Sequence, residues 1–451
     1  MDNKKVFEEY SIGKSLRIMA GPAIIGQLVT LIYNMADTFF IGQVNNPYMI
    51  AAASLVLPLF MICVPISIIP GVGGGSLMSR LLGVSKQDDA ERVSTFAILT
   101  SVVFGILYAV IITVFKEDIL WLLGASVNNI EFAKEYTTYI LCIGALPTIL
   151  CGTFSNLFRS IGKSKEAGIG MTLGGVLNII LDPLFMFVIL PSGKEVIGAG
   201  IATMLSNVIS CLYYFIVLYR LKGTVPISLS FKKGLPEKKL IKKIFTVGFP
   251  SATTTILFDI NNIILNKLMS GYGDFALAAS GIVLKVERLS LNTNVGLCMG
   301  MSPIVAYNYS SGNYKRMKDT IKTTRRTGII ISLIAFVLYE FFAGTIMELF
   351  IKDPQTVMYG TTFLKIRAFA AIVMFFNIYI VNVFQGVGSG KATFWLAFVR
   401  YVVFNIPLLF IFNHFIGCNG IMWGQFVGDI FSGTFATIIL TRFLKECYET
   451  E

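Results

Sequence analysis

The sequence predicts an all-α polytopic membrane protein, with twelve transmembrane helices in two six-helix lobes. Three observations carry that prediction. Of 451 residues, 55% are hydrophobic and only 14% charged, where a soluble domain carries about 25% charged residues. The apolar residues gather in runs of about 20, the length a helix needs to cross the hydrocarbon core, without the alternation of an outer-membrane strand. The second half of the chain also repeats landmarks of the first in the same order.

Apolar runs lie near 18–40, 49–72, 94–115, 136–158, 168–190, 196–219, 244–269, 277–300, 327–350, 362–386, 392–413 and 418–441. The first 17 residues mix both charge signs and lack a short apolar core with a cleavage site. They read as a cytoplasmic amphipathic tail rather than a signal peptide. The connections alternate in charge. Lys14 and Arg17 precede the first run; Arg80, Lys86 and Arg92 follow the second; Arg159, Lys163 and Lys165 follow the fourth. The connection 220–243 is the richest in cations, and Lys315, Arg316, Lys391, Arg442 and Lys445 continue the series. The intervening connections hold Lys116, Lys134, Lys194 and Lys352, with Lys365 and Arg367 at a helix end. Cation-rich connections stay in the cytoplasm, so both termini are expected there. The net charge of +11 is thereby assigned to topology and lipid contact, not to nucleic acid. Cys63, Cys142, Cys151, Cys211 and Cys298 sit inside apolar runs without disulfide or metal-ligand spacing, and read as packing residues.

Phe158-Arg-Ser-Ile-Gly-Lys-Ser-Lys returns as Phe384-Gln-Gly-Val-Gly-Ser-Gly-Lys, 226 residues later. Gly21-Pro22 returns as Phe249-Pro250, and "GVGGGSLMSRLLG" from Gly71 lies opposite "GLCMGMSPIVAYNYSSG" from Gly296. The near-constant offset divides the chain into an amino-terminal lobe (1–220), a cytoplasmic linker (221–243) and a carboxy-terminal lobe (244–451). Six spans per half leave both halves in one orientation, a parallel repeat about an axis along the membrane normal, which builds a central cavity between two bundles.

With lipid outside, ionisable groups within spans must face a cavity or a partner. Asp182 stands mid-span in "LNIILDPLFMF". Asn178 is one turn earlier on the same helix face, and Pro183 removes the amide that would bond the Ile179 carbonyl. A freed carbonyl, a carboxylate and a carboxamide on one face suit a proton or a hard cation such as Na⁺. Asp37 closes "LIYNMAD" near the outer end of the first span, and its position alone leaves it open between an interfacial charge and a site. Thr203 offers a hydroxyl on the sixth span. In the second half, Asp259 precedes two asparagines, and Glu287 is flanked by Lys285 and Arg288. These two acids read either as attraction for a cationic substrate or, for Glu287, as an internal ion pair with one of those neighbours.

Together "PAIIGQLVTLIYNMADTFFIG", "GVGGGSLMSRLLG", "FRSIGKSK", "NIILDPLF" and "GAGIATMLSN" resemble the multidrug and toxic compound extrusion (MATE) family, in its MepA-like and DinF-like bacterial branch. The resemblance spans nearly the whole chain and implies two six-helix lobes around a V-shaped cavity. It also implies export of organic cations driven by inward flow of H⁺ or Na⁺. By position it assigns ion coupling to Asp37, Tyr33, Asn178, Asp182 and Thr203, and makes Pro22 the place where the first helix bends. Asp259 resembles the seventh-span acid of the NorM-like branch, whose tenth-span acid has no counterpart in "AIVMFFNIYIVNVFQG". Substrate contact is therefore left to Asp259, Glu287 and the apolar wall, and conformational change to Pro22 and Pro183.

The expectation is a monomeric secondary antiporter in a bacterial plasma membrane, working by alternating access on a small amphiphilic cation. It is expected to need no cofactor beyond the coupling ion, no structural metal and no nucleic acid. Two other readings stay open. A lipid-linked saccharide flippase of the same superfamily would use the Lys285, Arg288 and Arg400 group on an anionic cargo. An intramembrane enzyme would need a buried histidine or metal motif, and the single histidine, His414, falls at an outer loop.

Overall fold

In the computed structural model, which describes residues 3–44 and 46–449, all regular structure is helical. A short helix, α1 (Asn3–Glu8), precedes twelve rods. These are α2 (Ile12–Gly42), α3 (Pro47–Gly83), α4 (Gln87–Leu122), the broken pair α5 (Ile130–Thr137) and α6 (Ala145–Ser160), α7 (Ser164–Leu184), and α8 (Glu195–Arg220). Then come α9 (Lys238–Ser270), α10 (Asp274–Ser310), α11 (Tyr314–Phe350), α12 (Pro354–Val387), the pair α13 (Gly390–Phe398) and α14 (Ile406–Ile416), and α15 (Cys418–Glu449). Each rod covers one apolar run of the sequence. Among the described residues nine are long and apolar enough to cross a membrane, and the α5–α6 rod, bent by 43°, makes a tenth. The other two, α9 and α10, carry Asp259, Lys267, Lys285, Glu287 and Arg288. Three rods contain π-helical turns, at Thr138–Ile143, Phe185–Ile189 and Val399–Asn405.

By packing, the chain divides into two compact units. The amino unit holds Ile25–Ala252, and the carboxy unit holds Lys5–Ile24 with Thr253–Glu451. Both divisions fall inside a continuous helix, two residues past Pro22 in α2 and two past Pro250 in α9. What seats each half-helix is a seam of glycines. In the carboxy unit a Cβ at Gly300 would lie 2.5 Å from Ala20 Cα, and one at Gly296 would lie 2.6 Å from Ile24 Cα. In the amino unit a Cβ at Gly73 would overlap the Ile244 carbonyl, and one at Gly248 the Ile69 carbonyl. Backbones approach this closely only where side chains are absent.

The repeated "F-x-x-x-G" signature has a conformational cause. Gly162 (φ 83°) and Gly388 (φ 86°) take the left-handed conformation that ends α6 and α12. The following amides, of Lys163 and Ser389, donate to the Phe158 and Phe384 carbonyls at 2.9 Å. This is the glycine-dependent helix stop that satisfies orphan carbonyls, and both phenylalanines are buried beneath it.

The amino-terminal segment and the connection 221–237 are each tied to the helices. Phe7 stacks on Tyr307 with ring centroids 4.9 Å apart, and Arg316 Nη2 donates to the Tyr10 carbonyl at 2.7 Å. Lys233, in the connection 221–237, meets Asp88 and Glu91 at 2.6 Å each and holds the Asp88 carboxyl below its ordinary range. Two cations that the sequence places with the connections lie inside instead. Arg159 folds back along α6 to Ser155 Oγ (2.9 Å), and Arg367 is fully buried.

The seams make a paired prediction within one helix. A Cβ added at Gly281 in α10 would meet nothing within 4 Å, whereas one added at Gly300 meets backbone. Gly281→Ala is expected to leave stability unchanged or raise it by up to about 1 kcal/mol. Gly300→Ala is expected to cost about 1–3 kcal/mol. Thermal unfolding of the detergent-purified protein reads both.

Candidate functional site

In the amino unit, Asn178 and Asp182 share a buried face of α7. The Asn178 amide donates both to Asp182 Oδ1 and to Thr203 Oγ1 on α8, each at 3.1 Å. Asp182 is 0% exposed. Pro183 follows, and the helix loosens at once into the π turn Phe185–Ile189, as a missing amide requires. Gly198 of α8 lets that turn approach: a Cβ there would lie 2.7 Å from the Phe185 carbonyl carbon.

The opposite wall comes from α2. A Cβ at Gly175 of α7 would meet Val29 Cγ1 at 2.6 Å and Tyr33 Cδ1 at 3.2 Å, so the two helices cross at this glycine. One turn beyond Tyr33 is Asp37, five residues before the end of α2 and about 7.5 Å from it along the axis. Asp37 is half-buried, and Asp37 and Asp182 lie close enough to interact electrostatically. Tyr33 is close to both. So is Tyr136 on α5, a residue that no sequence signal singles out.

The polar atoms left over are of one kind. Asp37 Oδ1, Asp182 Oδ2 and Asn178 Oδ1 are buried without a hydrogen-bond partner. Three unpartnered acceptor oxygens, two of them on carboxylates, suit something that brings positive charge, a proton or a hard cation. Among the described residues no cluster of three or more His, Cys, Asp or Glu could hold a metal. Two carboxylates are supplemented here by amide and hydroxyl oxygens. Of the residues assigned to conformational change, Pro183 adjoins this pocket, and Pro22 stands on α2 beside the division between the units.

The carboxy unit is arranged differently. Glu287 is buried, but its partner is neither Lys285 nor Arg288, which are exposed on α10. It takes two hydrogen bonds from Arg367 of α12, one of them Nε to Oε2 at 3.1 Å. The tenth span thus contributes a base, Arg367, ahead of the acid-free stretch 371–386. Arg400, in the π turn Val399–Asn405, donates through Nε to Asp429 Oδ1 at 2.8 Å. Asn405 donates to the same oxygen at 3.3 Å, and Asn377 to the Asp429 carbonyl at 3.1 Å. Asp259 is half-buried with Arg288 as its charged neighbour, and no bond joins it to Glu287. Glu287 and Asp429 are thus each neutralised across helices, by arginines 80 and 29 residues away in sequence.

Comparison with known proteins bears on both units. The MatE family model matches residues 22–184 and again 250–411. The multidrug export protein MepA of Staphylococcus haemolyticus is 32% identical over 437 residues, covering 96% of this chain and 94% of that protein. MepA of Staphylococcus aureus is 30% identical over 434 residues, with the same coverage. Among solved structures, the outward-facing conformation of a multidrug resistance MATE family transporter superposes with a TM-score of 0.93 at 22% identity, over 99% of both chains. A MOP superfamily transporter from Pyrococcus furiosus gives 0.91 at 22% identity, over 99% of both. At that identity the structural likeness speaks for the twelve-helix fold.

The buried pairs yield a stability prediction. Arg367→Met strands the Glu287 carboxylate and is expected to cost about 3–5 kcal/mol. Adding Glu287→Gln should recover most of that loss, because the uncompensated charge is removed. Thermal unfolding of the two single variants and the double variant measures the recovery; a double variant no more stable than Arg367→Met contradicts the pairing.

Proposed function

Because the chain belongs to the MatE family of multidrug and toxic compound extrusion transporters, we propose that it is a multidrug efflux antiporter driven by inward H⁺ or Na⁺. The pocket of Asp37, Asn178, Asp182 and Thr203 holds the coupling ion. The observation that supports this reading is the set of buried acceptor oxygens, Asp37 Oδ1, Asn178 Oδ1 and Asp182 Oδ2, that lack a hydrogen-bond partner. Two carboxylates in one low-dielectric pocket cannot both stay ionised cheaply, so a proton or a shared cation is what the pocket accepts.

Binding of that ion acts on the cargo through the first helix. The outer half of α2, with Tyr33 and Asp37, belongs to the amino unit, while its first half belongs to the carboxy unit, and Pro22 lies beside the division. A ligand shifts a conformational equilibrium by its differential affinity for the two states. Ion occupancy at Asp37 and Asp182 biases the alternating-access equilibrium in that way and drives release of an amphiphilic cation. Both termini are cytoplasmic in this proposal, as the alternation of connection charges requires, and the monomer is the working unit. The flippase reading is disfavoured because Arg400, which it would use for an anionic cargo, is committed to Asp429.

Ethidium efflux from proteoliposomes, with pH and Na⁺ gradients imposed separately, tests the proposal. One gradient is expected to drive efflux in the wild type. Asp182→Asn, correctly inserted, is expected to lose at least tenfold of the driven rate. Full driven export by Asp182→Asn would overturn the assignment.

A further inference from the structure

Within the carboxy unit, α11, α12 and α15 line an open crevice of about 370 Å³ that shares no residue with the pocket or the ion pairs described above. Asn419, at the start of α15, and Thr361 and Thr362 of α12 line it nearest the helix ends. Glu340 lines it ten residues inside the end of α11, about 15 Å along the axis. Phe369 and Trp423 complete the wall, stacked with centroids 6.5 Å apart, and Phe336 meets Phe369 edge-on at 5.2 Å.

Two charges share this space without pairing. Glu340 Oε2 is buried and has no hydrogen-bond partner. Lys365 lines the same crevice and makes no ion pair with it. Outside, the side of α11 that carries Glu340 presents Leu333 and Val337, 45% and 46% exposed, seven and three residues before it. An unpaired carboxylate at such a place is costly unless a ligand supplies the opposite charge. An unpaired lysine beside it selects a ligand that also carries an anion. Aromatic faces next to the carboxylate favour an ammonium group.

We propose that this crevice binds the zwitterionic headgroup of an amino-phospholipid. Its ammonium group lies against Glu340, Phe369 and Trp423, its phosphate against Lys365 and the threonine hydroxyls, and its acyl chains along the exposed face of α11. The headgroup satisfies both unpaired charges at once, which neither an anionic lipid nor a simple organic cation does.

Native mass spectrometry of the full-length detergent-purified protein, titrated with phosphatidylethanolamine or phosphatidylglycerol, reads the site directly. Wild type is expected to retain phosphatidylethanolamine in preference to phosphatidylglycerol. Glu340→Gln, nearly isosteric, is expected to lower retained phosphatidylethanolamine at least fivefold and leave phosphatidylglycerol unchanged. Lys365→Ala, at an exposed position, is expected to lower it too, and decides the matter if Glu340→Gln does not fold. Equal retention of phosphatidylethanolamine by wild type and the folded variants overturns the proposal, as does equal or better retention of phosphatidylglycerol by wild type. Displacement of the lipid by ethidium, with ethidium binding dependent on Glu340, would make the crevice a cation site and overturn it as well.

Discussion

A charged side chain carried into an apolar span must be neutralised, and what neutralises it sorts the buried polar groups of this protein into two kinds. Glu287 and Asp429 find arginines, Arg367 and Arg400, on neighbouring helices. Their charges are settled inside the chain, and their consequence is to fix which helices meet. Among the described residues Asp37 and Asp182 have no cationic partner; the Asn178 amide bonds Asp182 and, with its other hydrogen, the Thr203 hydroxyl oxygen. Removing a charge from water without compensation costs several kcal/mol, so an uncompensated pair of acids is stable only with a visitor of positive charge. The same reasoning, applied to an unpaired acid and an unpaired base sharing one crevice, points to a visitor that carries both signs.

Helix contacts depend on a second constraint, which is steric. Between helices in lipid there is little hydrophobic drive, so packing depth decides association. Glycines at Gly73, Gly248, Gly296 and Gly300 allow backbone-to-backbone contact where α2 and α9 cross from one unit to the other. Gly175 leaves room for the Val29 and Tyr33 side chains of α2 on one side of the acidic pocket, and Gly198 lets α8 meet the backbone of the π turn at Phe185 on the other. The pocket is thus held at fixed width by missing side chains, while its chemistry comes from the few polar ones that remain.

The twelve rods are legible in the sequence because a lipid-crossing segment must satisfy its own backbone, and about 20 apolar residues leave little choice but helix. The Asn178–Asp182–Pro183 face is legible for the same reason, since helical spacing and a missing amide are local facts. Partners contributed from elsewhere in the chain are not. Arg367 reads as a cation at a helix end because the apolar run thickens only near 362, yet α12 starts at Pro354, capped by Asp353. That places Arg367 inside the span. Two acids deep in the second half, Glu287 and Asp429, each need a base, and that deficit is the one available signal for it. Nothing local marks Tyr136, an aromatic in an apolar run; only the fold brings it to Asp37 and Asp182.

The two halves share a scaffold but not a chemistry, and the repeat shows where they part. The two matched segments end at 184 and 411, an offset of 227 residues. By that offset Asn178 corresponds to Asn405. Both asparagines are buried, and both donate from the second-to-last helix of their half to the last: Asn178 to Thr203, Asn405 to Asp429. The position of Asp182, however, is taken by Leu409, buried in an apolar cluster. The carboxy half carries its acid instead on the last helix, where Arg400 neutralises it. The asparagine link between the last two helices therefore belongs to the architecture, since it persists with either partner. The acid at the Asp182 position, by contrast, is present in one half only. At the matched position one copy keeps an acid with no cationic partner and the other a leucine, and the acid on the last helix of the second copy is paired with Arg400.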